Sequence, residues 1–330
     1  MTVKFNNVYV YDSYTIASVY EKDGPISNCF DKVYDKDLYY GEDTFEKAEE
    51  KLLFDSINSL IMKADYTDKD IDYVISGDLQ NQISASDYAM SKINIPFLGV
   101  YGACSTFGLG LFIGSNFIDG GKANNLIVST SSHNMVAERQ FRNPTEYGAP
   151  KKKTTTWTAT GAASILVTNK KGKIRISSAT CGVVQDAKVC DVNNMGAVMA
   201  KAAADTIRRH LTNLKIDASY YDLILTGDLG IYGKQILIDY MKDFNIDLSL
   251  NYEDCGLILY DINNQNVYAG ASGPACSALV LCSYILKEME KGKYRRILFV
   301  PTGAIFSPTR VFQKSSIPSI AHAISFEVVS

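Results

Sequence analysis

The residues Gly102-Ala103-Cys104-Ser105-Thr106 carry the chain's clearest chemical signal. Cys104 follows a β-like run, Ile95 to Tyr101, and precedes an apolar, small-residue run, Thr106 to Ile118, that reads as a helix. A sulfur at a helix N-terminus meets free backbone N–H groups and the positive end of the helix dipole, which favour a thiolate or a bound anion. Enzymes that attack thioesters place their nucleophile in such a position, but the thiol also needs a base. Histidine is scarce: only His133, His210 and His322 are present.

Each possible partner has two readings. His133, in Ser131-Ser132-His133-Asn134, either faces the Cys104 pocket with Asn134 beside it and donates to a ligand carboxylate, or is a satisfied loop histidine. His210 follows Arg208-Arg209 late in an amphipathic segment and is read as either solvated or near the C-terminal end of a helix dipole. His322 lies in an apolar run and reads as structural. Arg139 and Arg142 are three apart, so on a helical turn both guanidiniums share a face. They either clamp a carboxylate bidentately or pair with Glu138 or Glu146. Trp157, the sole tryptophan, either stacks on an aromatic ligand or belongs to a core or interface. Lys151 to Lys153 form a basic run that reads as a solvated loop.

The bulk numbers narrow the class. A chain of 330 residues exceeds what one core normally supports, so two subdomains are expected. The net charge of −3 supplies no global field for nucleic acid or an anionic membrane. Seven cysteines without a C-x-x-C pair suggest neither a disulfide framework nor a zinc site, and imply a reducing compartment. Met1 to Tyr20 lacks the pattern of a signal peptide. Ile93 to Ile118 has no charged residue, but Pro96 and its glycines divide it into strand, turn and buried helix rather than a membrane span. Gly108, Gly110 and Gly114 lack dinucleotide-fingerprint spacing and are read as close helix packing.

These groups need elements to position them. Helices are predicted over Thr44–Lys63, Ala197–Leu214, Tyr232–Phe244 and Ser277–Lys291. Strands are predicted over Ile71–Ser76, Asn125–Thr130, Leu223–Thr226 and Arg296–Pro301, with a hairpin joining Gly161–Thr168 to Ile174–Ser178. The halves echo each other. Asp72-Tyr73-Val74-Ile75-Ser76-Gly77-Asp78-Leu79 matches Asp222 to Leu229, Ala103-Cys104-Ser105 matches Ala275-Cys276-Ser277, and Leu126 to Thr130 matches Ile297 to Thr302. Three landmarks recurring in order point to an internal duplication. The predicted division is 1–172 and 173–330. Two such α/β halves, with a cysteine opening a buried helix in the first, describe a thiolase-like α-β-α-β-α sandwich, expected to dimerise through the strand Asn125 to Ser129.

More specific runs resemble a known family. They include Glu21-Lys22-Asp23-Gly24-Pro25, Tyr101 to Thr106, Ser131 to Asn134, Ala137 to Arg142, Pro144 to Gly148, Tyr221 to Leu229, Asp254-Cys255-Gly256-Leu257 and Ile320-Ala321-His322. Together they resemble the stage V sporulation protein AD family of endospore-forming bacteria over nearly the whole chain. The resemblance implies non-catalytic binding of dipicolinic acid (pyridine-2,6-dicarboxylate), with or without calcium. It also implies a role in uptake of that acid into the developing spore, at the spore inner membrane, with membrane-embedded proteins of the same operon as partners. The expected ligand-binding residues are Cys104, Ser105, His133, Asn134, Arg139, Arg142, Asp228 and Cys276, with no metal site and no cofactor. The rival reading is a ketoacyl synthase III-like or thiolase-like acyltransferase using Cys104. Related synthases carry a histidine where this chain has Thr226-Gly227-Asp228-Leu229, and an asparagine where it has Gly270-Ala271-Ser272-Gly273. A carboxylate at Asp228, if close, opposes thiolate formation.

Overall fold

The computed structural model describes residues 1–141 and 151–329. In the first half the main elements are β1 (Tyr9–Ala17), α1 (Phe45–Lys63), β2 (Tyr73–Gly77), β3 (Phe97–Gly99), α2 (Thr106–Asp119), β4 (Asn125–Ser132), α3 (Asn134–Phe141) and β5 (Gly161–Thr168). The second half contributes β6 (Ile174–Thr180), α4 (Met195–Leu214), β7 (Leu223–Thr226), α5 (Gly230–Asp243), β8 (Tyr252–Asp254), α6 (Pro274–Leu279), β9 (Arg296–Val300) and β10 (Ala323–Val328). Thr44 starts α1 as its N-cap, accepting the Lys47 N–H at 3.3 Å.

The strands run β3-β2-β4-β5-β1 and then, across a short antiparallel contact, β6-β10-β9-β7-β8. Read outward from that contact, the two sequences of strands are equivalent. β2 is parallel to β3 and β4, as β7 is to β8 and β9; β4–β5 and β9–β10 are antiparallel. The duplication extends to hydrogen bonds. Asp72 Oδ2 accepts the N–H groups of Asn124 and Asn125 at 2.6 and 3.1 Å. Asp222 Oδ2, its counterpart in the repeat, accepts those of Arg295 and Arg296 at 2.7 and 2.8 Å. Each carboxylate ties the turn before the third strand of its half.

Alternation along the strands creates the layers. In β4, Leu126 and Val128 face the central core while Ile127 faces the α1 side. In β9, Ile297 and Phe299 face the same central core while Leu298 and Val300 pack against α4 and α5. Strands covered on both faces read as unbroken apolar runs. The central layer holds α2 and α6. Close approach explains the glycines of α2: a Cβ on Gly110 would lie 2.6 Å from Val128 Cγ1, and one on Gly114 2.7 Å from Leu126 Cδ1. Among the described residues no helix is long and apolar enough to cross a membrane.

Two expectations need correction. β5 and β6 do not form a hairpin: β1 lies between them, pairing with β5 along its length and with β6 at Tyr9 and Val10. Asn125–Ser129 is not available for dimerisation through its backbone, because β4 is paired on both sides, to β2 and to β5. The edge of that half is β3.

Candidate functional site

The turn after β3 presents Cys104 through a strained backbone. Ala103 has φ of +51°, unusual for a residue with a Cβ. Hydroxyls hold the turn: Ser105 Oγ donates to Gly102 O at 2.7 Å, while Thr106 Oγ1 donates to Ala103 O at 2.6 Å and accepts the Gly102 N–H at 3.1 Å. Ser105 is thereby committed to the backbone and buried.

Across from Cys104 stands Asp228, just beyond β7. Its Oδ2 accepts the Gly273 N–H at 3.1 Å, and its Oδ1 accepts the Thr302 hydroxyl at 2.8 Å. Gly273 precedes α6 and Thr302 follows β9, so three elements of the second half aim this carboxyl at the first half's cysteine. Burial, and then the negative charge of Asp228, push the Cys104 thiol well above its ordinary range. Burial likewise raises Asp228 to about 7, with the charge of neighbouring Asp254 acting in the same direction. A thiol facing a carboxyl keeps its proton and is a poor nucleophile at neutral pH.

Both groups line a cavity of about 60 Å³ between the halves. That volume corresponds to roughly four water-sized probes. Its wall is mainly apolar, with Leu79, Tyr101, Phe141, Met195, Met199 and Phe306 among the lining side chains, and Phe141 meets Phe306 edge-to-face at 5.3 Å. The lining carries two carboxyls, Asp228 and Glu138, and no lysine, arginine or histidine among the described residues. Glu138 is paired with Lys151 at 2.9 Å. A larger groove of about 1000 Å³ runs along α4 and residues 244–251, but no cysteine or histidine lines it. Cys104 and Asp228 both lie at the smaller cavity.

The other expected residues lie elsewhere. His133 points away from the cavity: its Nε2 is 2.8 Å from Leu38 O, its Nδ1 accepts the Met135 N–H at 3.2 Å, and its ring stacks near Phe45. Burial lowers it to about 4, so it is neutral. Asn134 donates its N–H to Thr160 Oγ1 at 3.0 Å and its Nδ2 to Thr158 O at 3.3 Å, fastening α3 to the neighbouring strand. Arg139 pairs with Glu46 at 3.2 Å, lies over the Phe45 ring and is not in the cavity wall. Arg142 and Glu146 lie outside the described residues. Cys276 is buried behind the wall, its thiol donating to Gly227 O at 3.5 Å. Trp157 stacks on Tyr20 at 4.7 Å with Lys151 over its ring, next to the cavity rather than in it. His210 is buried rather than solvated, bonded to Thr180 Oγ1 at 2.8 Å and Tyr221 Oη at 2.7 Å. His322 is buried, accepting the Gly182 N–H on Nδ1 at 3.3 Å.

Of the expected residues that are described, the cavity wall therefore combines Cys104 and Asp228. Sequence reasoning missed Thr302, Gly273 and Asp254 as supports. Asp254 accepts from Thr226 Oγ1 and from the N–H groups of Leu229, Gly230 and Gly256, at 2.7 to 3.1 Å, and so shapes the loop that carries Asp228. It also missed a second buried acid pair beside Leu79: Glu49 on α1 and Asp78 beyond β2. The repeat of Gly77-Asp78-Leu79 as Gly227-Asp228-Leu229 was the available signal.

Solved structures of OleA from Xanthomonas campestris share this fold. A cerulenin-bound form superposes with a TM-score of 0.63 at 15% identity, covering 98% of this chain and 97% of that one. A second cerulenin-bound form gives 0.62 at 14% identity, covering 98% of each chain. Identity this low speaks for the thiolase-like fold alone. Stage V sporulation protein AD of Bacillus subtilis (strain 168) is 44% identical over 320 residues, 97% of this chain and 94% of that protein. The family model for stage V sporulation protein AD matches residues 1–327. The chain belongs to the stage V sporulation protein AD family.

Proposed function

We propose that this protein serves sporulation as a non-catalytic binder of dipicolinic acid, held in the Cys104 cavity, and that it works at the spore inner membrane with membrane-embedded partners. The observation that carries this reading is the pairing of Cys104 with Asp228. An acyl-transferring thiol needs a base that takes its proton and a donor that polarises the thioester. Here a buried acid stands opposite the thiol, and each of the three histidines is buried and bonded elsewhere. What the cavity offers is a small, largely apolar wall that also carries a few polar groups, which suits a small flat ring bearing carboxyls. The cavity is small, so this reading requires its wall to widen when the ligand binds.

Titration calorimetry of the purified protein with dipicolinate, with and without calcium, tests this. Saturable heat is expected, with Cys104 unmodified in the intact-mass spectrum after incubation with acyl-CoA or cerulenin. An acyl or cerulenin adduct on the wild-type protein that disappears in Cys104→Ala overturns the non-catalytic reading in favour of acyl transfer, the activity for which the retained cysteine and the shared fold speak.

A further inference from the structure

We propose that the Cys104 cavity takes up its dicarboxylate together with one proton, and that Asp228 is the residue that imposes this ionisation state on the ligand. The inference rests on reading this cavity as the dipicolinate site. It starts from the wall, which offers two carboxyls and no cation among the described lining residues. Glu138 has its charge matched by Lys151 at 2.9 Å. Asp228, 1% exposed, takes its hydrogen bonds from neutral donors: the Cys104 thiol, the Gly273 N–H and the Thr302 Oγ1–H.

Among the groups packed around Asp228 from other elements, the charge of Asp254 at the end of β8 makes an extra negative charge worse. The thiols of Cys104 at the start of α2, Cys276 on α6 and Cys255 after β8 stay protonated beside it, and that of Cys104 donates to its carboxylate. Lys234 on α5 acts on Asp254 and pairs with Glu253 at 2.7 Å. Asp78, next to Leu79 in the chain, and Glu49 form another buried acidic pair.

Dipicolinate in neutral water has lost both carboxyl protons, since ordinary carboxyls ionise below about pH 5. Bringing one of its carboxylates against an ionised, buried Asp228 sets like charges together with no cation among the described lining residues to offset them, and one of the two then holds a proton. A proton taken from solvent lies between Asp228 and the ligand: Asp228 donates its O–H to a ligand carboxylate, while its own lone pairs keep the Gly273 and Thr302 bonds. No bond to carbon changes. The empty site is already disposed to this, because burial raises Asp228 to about 7. Asp228 is thus a specificity-determining residue. It favours acids able to share a proton and ties their affinity to pH.

Calorimetry from pH 6 to 9, in phosphate and in Tris, whose ionisation heats differ, reads both affinity and protons taken up. For the wild-type protein the dissociation constant for dipicolinate is expected to be nearly flat below about pH 7. Above that it should rise by about tenfold per pH unit, with close to one proton taken up per ligand. Asp228→Asn keeps an acceptor for Gly273 and can donate to the Thr302 hydroxyl. In that variant the slope and the proton uptake should both vanish, and affinity at pH 9 should exceed that of wild type by about tenfold or more. A wild-type slope that persists in the variant, or a wild-type affinity independent of pH, overturns the proposal while leaving the binding site in place. Absence of binding at every pH overturns the site itself and this proposal with it.

Discussion

The buried pair Glu49 and Asp78 makes the stability of this protein depend on pH in a direction that one substitution isolates. Glu49 lies on α1 with no exposed surface; its Oε1 accepts from Ser131 Oγ and its Oε2 from Gln80 Nε2, each at 3.1 Å. Asp78 accepts from the Ser86 N–H and Oγ–H at 2.8 and 2.7 Å. Burial, then the charge of Asp78, raises Glu49 from 4.5 to about 8, and burial raises Asp78 from 3.8 to about 6. A carboxyl raised in the folded state keeps its proton where the unfolded chain has released it. Its contribution is fully present below pH 4.5 and is lost as pH rises towards 8. At about 1.4 kcal/mol per pH unit, the full interval amounts to roughly 5 kcal/mol. Because the two acids titrate as a pair, a loss of about 2–5 kcal/mol is expected between pH 5 and pH 8. Glu49→Gln removes the ionisable member. The variant gives up some of the hydrogen bonding at all pH values, about 1 kcal/mol, but its stability should fall much less over the same interval. Urea unfolding at pH 5, 6, 7 and 8, followed by tryptophan fluorescence and circular dichroism, measures the difference. His133, His210 and His322, each lowered to about 4, act oppositely, losing stability as pH falls from 6.5 to 4. They are present in both proteins and cancel in the comparison. Parallel curves for wild type and Glu49→Gln would refute the reasoning.

Two further outcomes follow from the geometry. Gly110→Ala puts a Cβ 2.6 Å from Val128 Cγ1 in the central layer, and should cost about 1–3 kcal/mol, read as a lower unfolding midpoint in urea; an unchanged midpoint would mean that α2 can slide over β4. Iodoacetamide at pH 8 should label exposed Cys190 well before Cys104, and Asp228→Asn should speed labelling of Cys104, by peptide mass spectrometry. Equal rates at Cys104 and Cys190 in the wild-type protein would contradict a proton-retaining thiol.

Much of this fold could be read from local pattern. Leu223–Thr226 and α1 with its Thr44 cap correspond closely to their predicted spans, because periodicity and capping are encoded within a few residues. The echo of Asp72–Leu79 in Asp222–Leu229 proved to be more than similar strands. Its first residue ties equivalent turns in both halves, and its Asp228 stands in the cavity. β1 and β10 went unrecognised. Tyr9-Val10-Tyr11-Asp12 mixes polar and aromatic residues, and its apolar end is short. That gap is also why β5 and β6 read as a hairpin, since nothing in the turn at 169–172 announces a strand inserted from 150 residues away.

The sequence alone settled that Cys104 stands at the start of an apolar helix in an α/β chain whose two halves echo each other, since residue type and order suffice for that. Which candidates share a cavity was decided only in three dimensions. His133 and Arg139 lie close in sequence to residues that line it, yet a carbonyl at Leu38 and a carboxylate at Glu46 hold them elsewhere. Asp228, far from Cys104 along the chain, reaches it because the halves pack across their central helices. Burial there raises the energy of a charge far above its value in water, and it is burial, invisible in residue order, that makes an ordinary cysteine a thiol that keeps its proton and moves an ordinary aspartate up to about 7.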